Sequence, residues 1–217
     1  MTDQDLLNDI QYRTLETPNA GASLDSALWT IPELISYLNE RHRRFIGATR
    51  LWMRIASQPV AAGIVNFSLN DFGGSAASTD LVDIYRLAYL TQASESHELQ
   101  RGDTWSYDHG PDSTWPTTSG IPESWSIVTE PTVTLRMIPA SAQVGTLEAI
   151  FTGLGTALGN TGVAINIPDE FAPYLVWGVL ADMLSKEGQA HDPARAVYCE
   201  KRFEEGIALA LTFTENP

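Results

Sequence analysis

From Phe171 to Leu184 the chain carries a single charge, Asp182, and is apolar almost all the way round. A helix of that kind must be covered on most sides, by its own domain or by a neighbouring subunit. Its borders are marked. Pro168-Asp169-Glu170 opens it, and Pro173 is tolerated only in or next to the first turn, where few N–H groups have partners. Gly188 supplies a left-handed stop after Lys186, and Asp192-Pro193 starts a second helix with Asp as N-cap and Pro at the first helical position. Ile167–Leu211 therefore reads as a helical hairpin and the hub of the fold. Asp182, if covered, needs an Arg, a Lys or a backbone partner, because an unpaired buried charge costs several kcal/mol.

Two further helices are predicted near the start. Asp3–Arg13 places Leu6, Leu7 and Ile10 on one side, with acids in the first turn. After a loop from Thr14 to Leu28, Thr30 and Glu33 form a capping box with Pro32 beside them, and Trp29 is placed to staple the first turn. Ile35, Leu38, His42, Phe45, Ile46, Thr49, Trp52 and Met53 keep helical spacing through about Ala56, and Pro59 ends the run. Arg41, Arg43, Arg44, Arg50 and Arg54 place five of the 13 basic residues on this helix. One reading is a nucleic-acid contact; in so acidic a chain the expected one is a solvated or subunit-facing side that pairs with acids elsewhere. His42 falls on the apolar side and reads as a hydrogen-bonded core histidine.

From Val60 the pattern changes to strands. Val60–Leu69 and Asp80–Leu90 are rich in β-formers, with Val82 and Ile84 expected on one face and Tyr85, Leu87 and Tyr89 on the other. Ser96–Arg101 fits one helical turn, and Gly102–Gly120 is a long loop holding Trp105, Tyr107 and Trp115. A meander follows, with Trp125, Ile127 and Thr129, then Val133, Leu135 and Met137, then Leu147, Ala149 and Phe151 alternating. The expected class is α+β: a helical bundle from 1–59 and 168–217, with an antiparallel β-rich insert at 60–167.

Chemistry is not marked out. Gly153, Gly155 and Gly159 lack the Lys-Ser/Thr of a phosphate loop, and Ser96-His97-Glu98-Leu99 has Arg101 where a zinc helix needs a second His. Asp103, Asp108, His109 and Asp112 lack the dense spacing of a calcium loop. No G-x-S-x-G is present, and the lone Cys199 allows no internal disulfide and reads as a small buried side chain. No enzyme, cofactor or metal is expected. Lys+Arg 13 against Asp+Glu 27 gives a formal net charge of -14, which argues against a nucleic-acid-binding module and suits a surface past which DNA slides without sticking. Met1–Ile10 is too polar and acidic for a signal peptide, and the apolar run 171–181 is too short to span a bilayer.

The order of motifs resembles a known family. Asp5-Leu6-Leu7-Asn8-Asp9 with Tyr12-Arg13, then Trp29-Thr30-x-x-Glu33-Leu34-Ile35-x-Tyr37-Leu38-Asn39-Glu40, is similar to the N-terminal half of the head-to-tail adaptors of tailed bacteriophages, the tail-tubular-A-like connectors. Gly120-Ile-Pro122-x-x-Trp125, Thr134–Pro139, Gly145-Thr146-Leu147, Ile167–Glu170, Leu180-Ala181 and Asp192-x-x-Arg195-Ala196 continue the likeness over nearly the whole chain. The resemblance implies a ring, usually of about twelve copies, between the portal and the tail or nozzle proteins of the virion neck. It implies a lumen that passes the genome, no membrane, synthesis in the host cytoplasm, and no catalytic residues.

Two unlike faces must then complement each other around the ring. The candidates are Arg43, Arg50 and Arg54 on the basic face, Phe171, Trp177 and Asp182 on the apolar helix, and a polar tail of Thr212, Phe213, Thr214, Glu215, Asn216 and Pro217 that suits a portal groove. A tail completion or stopper ring follows the same logic. A carbohydrate-binding or enzymatic module would use the Trp105–Trp115 loop for stacking.

Overall fold

The computed structural model describes residues 1–14, 28–68, 81–103, 118–128, 134–188 and 190–214. They form two compact units, Met1–Trp52 with Leu154–Pro217, and Met53–Gly153. Among the described residues, four helices and a large, curled, mostly antiparallel sheet make an α+β fold.

The first unit holds α1 (Asp3–Arg13), α2 (Ile31–Thr49), α3 (Ala172–Ser185) and α4 (Pro193–Thr214). Both early helices start on capping boxes, Thr2 with Asp5 and Thr30 with Glu33. Trp29, at the mouth of α2, is buried and donates its indole N–H to the Met183 carbonyl at 3.2 Å. A 3₁₀ turn at Asp169–Phe171 leads into α3, and Pro173 sits in its first turn, where it disturbs no helical hydrogen bond. Asp192 caps α4 through its carboxylate, which accepts from Arg195 N–H at 3.0 Å. Gly188 has φ 146 but lies beyond the last turn of α3, whose cap is the extended residue Lys186.

Helix α2 stops earlier than expected. Arg50 takes the left-handed conformation at φ 54 and caps it, so Trp52 and Met53 do not continue its apolar stripe, and Arg54 is on a strand instead of the helix. The spacing of Trp52 and Met53 matched a helix, but no glycine marks the stop.

Helices α1, α2 and α4 all pack on α3. Leu175, Val176, Val179, Leu180 and Met183 are buried, with Leu6, Ile10, Leu38, Phe45 and Phe203 around them. The apolar helix is thus covered mainly by its own unit. Close approach of α3 and α4 depends on Gly206, where a Cβ would lie 2.3 Å from Tyr174 Cγ.

The segment from Leu154 to Ile167 is bound to this unit by polar clamps. The buried Asp3 carboxylate accepts from the N–H groups of Gln4 at 2.7 Å and of Gly159 and Gly162 at 2.9 Å. Asn39 accepts from Leu158 N–H and donates to the Leu158 carbonyl, both at 2.8 Å. The glycine-bearing loop is held as a connector.

The second unit contains β1 (Met53–Val60), β2 (Asn66–Ser68), β3 (Leu81–Thr91), β4 (Ser96–Arg101), β5 (Ser119–Gly120), β6 (Ser124–Val128), β7 (Thr134–Ile138), β8 (Ala140–Ser141) and β9 (Gly145–Gly153). Seven strands run in the order β1-β9-β3-β4-β6-β7-β2, and β5 pairs with β8. Ser96–Arg101 is therefore a strand, not a helical turn, because Ser96–Leu99 pairs with β3 and its end with β6.

Strand β3 does not keep simple alternation. Its register against β9 shifts between Ile84 and Arg86, a bulge that adds Tyr85. Ile84, Leu87 and Tyr89 consequently enter the core together while Tyr85 stays outside, against the expected division of faces. The core also takes Trp125, Leu135, Met137, Leu147, Ala149 and Phe151, as the alternation predicts. The segment Asn70–Gly74, the Trp105–Trp115 loop and Glu130-Pro131 lie outside the described residues.

Candidate assembly surface

The strongest polar feature joins α2, α3 and α4. Arg41 donates from Nε to Asp182 Oδ2 at 2.7 Å and from Nη2 to Oδ1 at 2.5 Å, a planar two-point match between guanidinium and carboxylate. Its Nη1 lies 2.6 Å from Glu200 Oε2. Arg44 extends the chain to Glu200 at 2.9 Å and to Glu204. Both guanidinium groups lie over the Phe203 ring, at 5.0 and 5.4 Å from its centroid. Burial works against the charge of Arg41, but Asp182 and Glu200 outweigh it and raise its pKa. The arginine side of α2 thus splits, with Arg41 and Arg44 paired inside the chain and Arg43 exposed without an ion pair among the described residues.

His42, on the same helix, is buried at 1% exposure, and its Nε2 has no hydrogen-bond partner among the described residues. Burial first, and then the neighbouring Arg43 charge, push its pKa down from 6.5 to about 4. The histidine is in the core as expected, but the hydrogen bond expected of it is missing at Nε2 among the described residues. Glu33 is held at about 2 by Lys186, whose Nζ is 2.6 Å away, and by its cap bonds to Thr30. Cys199 is buried, and burial pushes its thiol up, away from nucleophile chemistry.

The candidate residues take three kinds of place. Phe171 is buried, 5.9 Å from Phe45 and 6.0 Å from Phe213 between centroids, and Asp182 is held by Arg41. Trp177 is half-buried with Arg13 over its ring at 4.8 Å and Tyr198 edge-on at 5.9 Å. These side chains, with Trp29 and Leu184, line a groove of about 710 Å³ rimmed by Arg195. Arg50 caps α2, and Arg54 faces Phe151 across β1 and β9. Thr212, Phe213 and Thr214 are the last turn of α4, not a tail, with Phe213 66% exposed. Glu215, Asn216 and Pro217 lie outside the described residues.

A second surface went unread in the sequence. On one face of the sheet Ile55 is opposite Ile150, and Ile150 is opposite Arg86. The next row is Ser57, Glu148, Ala88 and Glu98. Ile55 is 71% exposed, Tyr85 69% and Met53 47%. The buried Ala56 and Val60 in Met53–Val60 place Ile55 on the opposite face, a two-residue pattern masked in the sequence by the helical spacing that runs on through Met53.

No groups of three or more His, Cys, Asp or Glu able to hold a metal occur among the described residues, and no described helix is long and apolar enough to cross a membrane. Comparison with curated proteins finds no match. A family model described as SU10 adaptor protein matches residues 1–216. The match points to a structural, non-enzymatic role in the virion neck, in company with portal and tail proteins. The chain belongs to the SU10 adaptor protein family, a family of phage head-tail adaptors.

Proposed function

We propose that this adaptor assembles as a closed ring on the portal, joins it to the rest of the tail, and forms part of the conduit through which the genome leaves. The observation that carries the reading is the family match from residue 1 to residue 216, which includes both units. The formal net charge of -14 supports the conduit, because a wall of the same sign as the phosphate backbone does not retain DNA. Helices held by a three-helix ion-pair chain supply a rigid unit for side-by-side packing. The exposed Arg43, the Trp177 groove and the last turn of α4 with the residues after it are the surfaces that meet partners in this reading.

The test is to assemble particles without the protein. DNA-filled heads that fail to acquire tails, and acquire them when the purified chain is added back, are the expected result. Heads that join tails normally would end the proposal. A chain found on the tail tube and never on the portal would instead make it a tail completion ring.

A further inference from the structure

We infer that the exposed face of β1, β9 and β3, centred on Ile55 and Ile150, is where one copy of this chain meets the next. The inference rests on the ring reading above. Three observations carry it together. The first is apolar exposure: Ile55, Met53 and Tyr85 are exposed, and Ile55 stands directly across from the half-buried Ile150. An apolar centre of this kind, rimmed by Ser57, Arg86, Glu98 and Glu148, has the anatomy of a contact patch.

The second is its place in the sheet. Strand β1 is a terminal strand, paired with β9 along its whole length and with no second neighbour among the described residues. Proteins normally blunt such an edge with prolines or charges. Pro59 does so at one end only, and Met53–Gln58 has no further strand beside it among the described residues, with Arg54 as its one charge. The opposite terminal strand, β2, is a different and much shorter edge. A sheet that ends in two unlike edges suits the head-to-tail contact of a ring better than the self-matching contact of a twofold dimer.

The third is charge. Residues 53–153 carry four basic residues, Arg54, Arg86, Arg101 and Arg136, against eleven acidic ones. Two copies of so acidic a unit repel unless they meet where charge is locally balanced. Beside this patch Arg86 lies 3.6 Å from Glu98, and Arg101 lies 3.7 Å from Asp83. Two ion pairs therefore flank the apolar centre, and Glu148 is the one rim acid without an ion pair among the described residues. A second acidic copy meets less repulsion there than elsewhere on the unit, and because every subunit carries the same patch, one contact per copy covers it throughout the ring.

The experiment uses the full chain with Ile55→Asp and, separately, Ile55→Cys. Native mass measurement, alone and with portal, reads assembly, and maleimide labelling of the cysteine variant reads access to the face. Cys199 is buried and serves as the internal control. The expected result is that wild type assembles, that Ile55→Asp stays folded but needs roughly tenfold or more protein to assemble, and that residue 55 labels several-fold more slowly in the ring than in the monomer. Should Ile55→Asp fail to fold, the labelling rate of Ile55→Cys decides. Normal assembly of the variant with equal labelling in ring and monomer overturns this face and leaves the ring reading intact. Protection that arises only when tail protein is added overturns it too, by making the tail the occupant. A wild-type chain that never assembles, even on portal, removes the ring reading and this inference with it.

Discussion

Replacing His42 by Leu should remove the part of the helical unit's acid sensitivity that the imidazole contributes between pH 6.5 and about 4. In the folded chain the imidazole is fully enclosed, Nε2 has no hydrogen-bond partner among the described residues, and its pKa is pushed from 6.5 to about 4. The unfolded chain therefore binds more protons across that window, so stability falls as pH drops through it and loses nothing further from this group below about 4. At about 1.4 kcal/mol per pH unit the loss is about 3 kcal/mol, a large share of the stability of an ordinary domain. Leu fills a similar volume and binds no proton. Urea unfolding followed by far-ultraviolet circular dichroism, at a series of pH values from 7 down to 4, isolates the helical signal. The wild-type curve should fall by about 3 kcal/mol more than that of His42→Leu. Carboxylates such as Glu33 titrate in both proteins and cancel in the difference. Parallel loss in the two proteins would refute the buried, neutral imidazole.

Three other substitutions probe the same unit. Gly206→Ala drives a Cβ to 2.3–2.6 Å from the Cβ, Cγ and Cδ1 of Tyr174, so the α3–α4 crossing must widen at a cost of about 1–3 kcal/mol or more, read as a lower Tm. Unchanged Tm would mean the helices do not approach as described. Asp182→Ala leaves the nearly buried Arg41 with only Glu200, and should cost about 1–3 kcal/mol in urea unfolding, less than a fully buried pair because Asp182 is partly solvated. Wild-type stability in that variant would show a carboxylate that is merely solvated. Asp3→Ala removes the acceptor for Gln4, Gly159 and Gly162, so the Gly159 and Gly162 amides should lose most of their hydrogen-exchange protection, with roughly 2–4 kcal/mol lost in stability. Protection retained at both glycines would contradict the clamp.

What could be read from the chain alone follows the range of the interactions. Thr30 with Glu33 and Asp192 with Pro193 mark helix starts through contacts within a few residues, and the structure keeps both. The need of Asp182 for a cation followed from the apolarity of its helix, but that Arg41 would answer it, from 141 residues away, did not. Ser96–Arg101 carries a weak helical preference and is held as a strand by β3 and β6, partners that local pattern cannot reveal. The bulge at Tyr85 moves Leu87 onto the face of Ile84, and one inserted residue is invisible to a two-residue period. Helix α2 ends on Arg50 without a glycine, so the helical spacing runs on past the true stop and hides the exposed side of β1. The basic face is smaller than the spacing suggests, because distant acids of α3 and α4 take Arg41 and Arg44, and the early helix stop leaves Arg54 in the sheet.

The central claim is that this chain is the piece that builds on the portal. Purified portal mixed with the full chain, followed by native mass measurement at physiological salt, tests it most directly. The expected product is a complex that gains roughly 300 kDa, about twelve equal additions of 23.8 kDa, in one cooperative step. A chain that remains a monomer and leaves the portal at its original mass would contradict it.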